Sequence, residues 1–221
     1  MYKFWKNNSL SIVLFGLFFL CLIGQYLTGW YVHNEEQRQH RAAEVTLAGY
    51  AGEGHFLEAL FENWESEFLQ ISAFVVLTAF LFQKGSAESK PIGKKERVDE
   101  IKPDSVYDPN MPWPVRKGGL ALTLYSYSLS IAILVLFVIS FLMHGIGGVS
   151  HYNQEQAEHG EPAASVVEYM ATSTFWFESF QNWQSEFLSI AVMVVLTIFL
   201  RQLGSPESKP VDTPHSKTGA E

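Results

Sequence analysis

Two patterns in this chain combine residue types and spacings suited to chemistry. The first is a carboxylate pair. Glu67 and Glu186 hold equivalent places in Phe61-Glu-Asn-Trp-Glu-Ser-Glu-Phe-Leu-Gln70 and Phe180-Gln-Asn-Trp-Gln-Ser-Glu-Phe-Leu-Ser189. Each follows a tryptophan by three residues and precedes an apolar run. A carboxylate at the edge of an apolar helix costs free energy unless it reaches water, a partner or a proton. Two of them facing a common axis would bind a cation or carry protons. The alternative is structural: each carboxylate is hydrogen-bonded to a neighbouring helix or loop, and Trp64 and Trp183 act as membrane-interface anchors. Trp30, closing the first apolar run, suits the same anchoring role.

The second pattern is Asn34-Glu-Glu-Gln-Arg-Gln-His40, which returns as Asn153-Gln-Glu-Gln-Ala-Glu-His159. Glu36 and His40, like Glu155 and His159, are four apart and share one helix face. If the two copies meet, they offer four ligands, and carboxylate with imidazole suits zinc or a similar ion. Simple pairing or capping on a solvated helix explains the same spacing without a metal. Gln25 and His144 also align, near the ends of apolar runs, where interhelical hydrogen bonding is expected. One such histidine is too few for a haem. There is no nucleophile motif, glycine-rich phosphate loop, Cys-x-x-Cys or His-Glu-x-x-His. Nothing here argues for an enzyme or calls for a cofactor.

These residues need elements to carry them, and the shift between copies is constant. Windows 61–91 and 180–210, offset by 119, match at 21 of 31 positions. Ser9-Leu-Ser-Ile12 recurs as Ser128-Leu-Ser-Ile131, so the first apolar block reads as a retained helix; a cleaved leader would have no internal copy. Apolar blocks cover 10–27, 68–82, 120–146 and 187–200. About 20 helical residues cross a bilayer core. The second block alone spans only about 22 Å, and extending it back to residue 61 makes it long enough. The expected fold is an all-α integral membrane protein. It has four transmembrane helices arranged as two parallel two-helix repeats, with short amphipathic helices on the outer side. Ser165-Val-Val-Glu168 has the form of a capping box for one of these. The first repeat covers 1–83 and the second 119–203. Residues 84–118, rich in charge and proline (Pro103 among them), read as a largely disordered linker, and 204–221 as a disordered tail.

Net charge is −8, which excludes a nucleic-acid partner because no basic face outweighs the acidic excess. Lysines and arginines number two before the first block and two in 33–64. Eight lie in 83–118, none in 149–183 and three from Arg201 onward. The positive-inside rule then places both termini and 84–118 in the cytoplasm, with loops 33–64 and 149–183 outside. Parallel repeats put the pseudo-axis along the membrane normal. Cys21 stands alone, which excludes a disulfide framework. Four spans form a thin bundle, so a solute path would need a homodimer within the lipid bilayer. Two function classes remain: binding or moving a cation or small solute, and an accessory role through a protein partner on the linker or acidic loops.

Several stretches resemble a family of bacterial membrane proteins of unknown function. They are Gly24-Gln-Tyr-Leu-Thr-Gly-Trp30, Asn34-Glu-Glu-Gln37, Gly54-His-Phe56, Phe61 to Gln70, Gly85-Ser-Ala-Glu-Ser-Lys90 and Trp113-Pro-Val-Arg116. The resemblance covers nearly the whole chain. It implies a multi-pass protein of the bacterial cytoplasmic (inner) membrane and carries no activity with it. The copies differ at Glu65 against Gln184 and Gln25 against His144, so a twofold site would be chemically unequal.

Overall fold

The computed structural model describes every residue except Met1, Pro103, Asp104, Val106, Ala220 and Glu221. Pro103, counted above with the linker prolines, therefore lies outside the described residues. Among the described residues there are eight α-helices and no strand. They are α1 (Tyr2–Gln39), α2 (Leu47–Tyr50), α3 (Gly54–Phe80), α4 (Trp113–Lys117), α5 (Gly119–Ser126), α6 (Ser128–His159), α7 (Val166–Met170) and α8 (Ser173–Phe199). Three of them, α1, α6 and α8, are long and apolar enough to cross a membrane. Leu14, Phe15, Phe19 and Leu20 on α1 are more than half exposed, while the buried apolar residues are few and aromatic. Water would penalise that distribution; hydrocarbon does not, since lipid tails are as apolar as leucine. This is the profile of a membrane-associated protein.

The helix expected at 61–82 is present as α3, although it is not among the three. Glu58, Glu62, Glu65 and Glu67 crowd its first half. At the matching places α8 carries Gln181 and Gln184 in place of Glu62 and Glu65, which leaves it more apolar. The block at 120–146, expected as one helix, is broken between α5 and α6 at Tyr127, whose φ of −113° and ψ of 9° leave the helical region. The Ser128 hydroxyl donates to the Tyr125 carbonyl at 2.8 Å across this break.

Two compact units emerge, Met1–Phe61 with Leu142–Phe175 and Glu62–Phe141 with Trp176–Glu221. The first holds the aromatic core. Tyr50 and Phe56 pack with Tyr26 at centroid separations of 5.1–5.6 Å. Tyr169 lies 5.3 Å from Tyr152 and 5.5 Å from Phe175. A Cβ on Gly29 would lie 2.5 Å from the Tyr50 hydroxyl, and one on Gly148 would collide with the Tyr169 hydroxyl. These glycines therefore serve close approach; α1 and α6 continue well past them.

Beyond the apolar runs, both helices close in the same way. Ala42 N–H donates to Gln37 O at 2.8 Å around Arg41, at φ 59°, and Glu161 N–H to Gln156 O at 2.9 Å around Gly160, at φ 73°. This six-to-one closure needs a left-handed residue. With open space around its Cα, Gly160→Ala is expected to lose about 1–2 kcal/mol of stability for conformational reasons alone. Arg41→Gly should gain a similar amount, and thermal unfolding of the two variants would read both. The capping box forms as expected: Glu168 N–H donates to Ser165 Oγ at 3.3 Å, and Ser165 N–H to the Glu168 carboxylate at 2.7 Å. These backbone and hydroxyl donors hold the Glu168 carboxyl below its ordinary range.

In the second unit, the segments after α3 and α8 carry bonded turns where composition suggests disorder. Gln83 N–H donates to Ser89 Oγ and Gln202 N–H to Ser208 Oγ, both at 2.9 Å. Lys209 is buried, and its ammonium donates to the carbonyls of Gly85, His215 and Lys217 at 2.5, 3.1 and 2.9 Å.

Candidate metal centre

Asn34 and Asn153, shared between the two motifs, are loop clamps. Asn34 Nδ2 donates to Val45 O at 2.9 Å while its Oδ1 accepts from Val45 N–H at 2.8 Å. Asn153 makes the same two bonds with Ala164, at 2.9 and 2.7 Å. Trp30 Nε1 donates to Val45 O at 2.8 Å, so its polar edge is used inside the protein. The clamps fold the returning chain against the helix that carries the rest of each motif.

Glu36, His40, Glu155 and His159 all line one open cleft of about 480 Å3 in the first unit. Three histidines that the motif comparison passes over, His33, His55 and His151, line it as well. Five of the seven histidines in the chain thus share one cleft. The four motif residues are exposed at its rim, whereas His33 is buried and His55 and His151 are half-buried. The His33 and His55 rings lie 5.4 Å apart at 30°, and those of His55 and His151 5.6 Å apart at 87°.

The inner histidines are held from behind. His151 Nδ1 is 2.6 Å from a Glu58 carboxylate oxygen, and the Tyr169 hydroxyl donates to the other oxygen at 3.1 Å. His55 Nδ1 is 2.6 Å from the Tyr50 hydroxyl. Burial pushes the Tyr50 phenol up to about 12, so it stays protonated. Glu58, beside His151, came from no motif; its register partner at 177 is phenylalanine. His144, half of the Gln25/His144 pair, is buried and stacks on Phe175 at 4.7 Å.

The other candidate pair lies in the second unit. Glu67 is exposed and Glu186 partly buried, and the backbone carbonyl of Glu186 accepts from Gln70 Nε2 at 3.1 Å. The fully buried carboxylate there is Glu65, which accepts from Trp183 Nε1 at 2.8 Å, while Glu62 accepts from Asn182. Trp64 is partly buried.

A family model covers residues 1–220. The chain belongs to the DUF6766 family, a domain of unknown function. No match was found among curated proteins or among solved structures. Membership in DUF6766 therefore fixes kinship along the whole chain and leaves chemistry to be argued from the cleft.

Proposed function

We propose that this protein is a polytopic bacterial inner-membrane protein that binds a divalent cation in the histidine cleft of its first unit. The observation that carries this is the gathering of five histidines with Glu36 and Glu155 around one opening. In this reading α3 joins α1, α6 and α8 as a fourth span, and the chain is two parallel repeats of two spans. The recurrence of the Asn34 and Asn153 clamps, of Tyr50 and Tyr169 against their glycines, and of the Ser89 and Ser208 turns supports it. The basic excess in 83–118 supports a cytoplasmic linker and termini, and the cleft then faces outside.

The competing reading is an accessory protein whose polar loop residues only brace the fold. The clamps favour it, because they account for part of each motif without a ligand. Thermal unfolding of detergent-purified protein against a panel of cations separates the two. A cation at about 100 times its Kd should raise stability by about 2.7 kcal/mol, since it binds only the folded state. Glu67→Gln/Glu186→Gln serves as the internal comparison: a cation effect lost in that variant would move the site to the carboxylate pair. A flat response to every cation would leave the accessory reading standing.

A further inference from the structure

We infer that His55 and His151 are the inner ligand pair of this cleft, oriented by Tyr50 and Glu58, and that their cation is a zinc-class transition metal. The inference rests on the cleft being the cation site and says what that site selects.

His151 is bonded directly to the Glu58 carboxylate. An ionised carboxylate only accepts, so His151 Nδ1 carries the proton in the 2.6 Å bond. In the neutral ring this leaves the Nε2 lone pair as the ligand atom. The Tyr169 hydroxyl on the second carboxylate oxygen keeps Glu58 from rotating away. A carboxylate behind an imidazole is the usual way proteins fix the tautomer and aim of a metal-bound histidine. His55 is placed similarly. The Tyr50 hydroxyl 2.6 Å from its Nδ1 can accept as well as donate. With Nδ1–H donating, His55 also offers Nε2.

Spacing agrees with a shared ion. Two imidazoles on one tetrahedral ion, with metal–nitrogen bonds of about 2.0–2.1 Å, hold their ring centroids about 5 Å apart. His55 and His151 stand at 5.6 Å, so a small rotation suffices. Among the described residues, no three ligand atoms of this cleft lie within 4.8 Å of one another. The remaining ligands must therefore swing in from the exposed rim that Glu36, His40, Glu155 and His159 form. Imidazole nitrogen is the wrong donor for Mg2+ or Ca2+, which take oxygen ligands almost throughout. Mixed imidazole and carboxylate sets suit Zn2+, Co2+, Ni2+ or Cu2+.

The test uses the full chain in detergent, with Co2+ as optical probe and Zn2+ as competitor. Wild type should bind one Co2+ with the strong visible absorption of a four-coordinate ion, displaced by Zn2+ and not by excess Mg2+ or Ca2+. His55→Ala and His151→Ala should each abolish that absorption. Glu58→Gln removes no proposed ligand and keeps a hydrogen-bond acceptor, so it should weaken Zn2+ binding by about ten- to a hundredfold, with the four-coordinate spectrum retained. Unchanged binding in all three variants, with loss in His40→Ala or His159→Ala, would overturn the inner pair while the cleft remained a cation site. Displacement of Co2+ by equimolar Ca2+ would overturn the metal class. Absence of any binding to wild type would overturn both this inference and the function it deepens.

Discussion

Gly147→Val is expected to cost about 3 kcal/mol or more and to deplete folded protein from detergent extracts. A Cβ at Gly147 would stand 2.6 Å from Glu58 N and 2.9 Å from Leu57 C. Both are backbone atoms, so no side chain can rotate out of the way and α3 itself would have to shift. Gly54 faces the same crossing: a Cβ there would meet Gly147 O at 2.8 Å and His151 N at 2.9 Å. The crossing lies between Glu58 and His151, so a displaced α3 would also break their bond. Gly24→Ala supplies the contrast, because nothing lies within 4 Å of its Cβ position. There alanine should stabilise the helix by up to about 1 kcal/mol. Equal melting temperatures for Gly147→Val and wild type would contradict the close crossing.

The second large effect is expected from Asn34→Ala combined with Asn153→Ala. Each asparagine satisfies one N–H and one C=O of a returning loop. Leaving a partly buried backbone group without its partner costs about 1–3 kcal/mol. The double variant should lose several kcal/mol, and the segments 42–46 and 161–165 should become the first sites of proteolytic cleavage. Asn34→Asp keeps the acceptor for Val45 N–H and loses the donor to Val45 O, so it should fall between wild type and Asn34→Ala. Equal protease resistance in wild type and the double variant would remove the clamp from the account.

How much of this was legible beforehand depends on what the register of 119 can reveal. Comparing copies finds what both retain. It found the Glu-x-x-x-His pairs and the run from Phe61, and the structure gathers those pairs at one cleft. It could not find His33, His55 or His151, because their register partners are Tyr152, Thr174 and Val32. The same filter hid Glu58, opposite Phe177. Tyr50 and Tyr169, by contrast, were in register and available. Their burial against Gly29 and Gly148 was the missing fact, and it depends on how the loops fold back. The emphasis on Glu67 overlooked Glu65, whose burial depends on which face of α3 meets Trp183. A helix with carboxylates at 62, 65 and 67 does not reveal that from spacing alone. The turns after α3 and α8 were hidden for a different reason: serine hydroxyls replace apolar contacts as their fasteners, and composition scores such segments as disordered.

The Lys209 ammonium has a consequence for the order in which the molecule is completed. Its bond to Gly85 O joins residues 124 apart in sequence, and contacts of such separation close late because the intervening chain must first be placed. Lys209 also follows α8, so during synthesis it emerges only after α1 to α8 have been made. The Gly85 carbonyl must wait for the segment beyond α8 to arrive. The clasp at Lys209 is thus a record that α8 has been passed: a chain halted before that helix has no means of forming it.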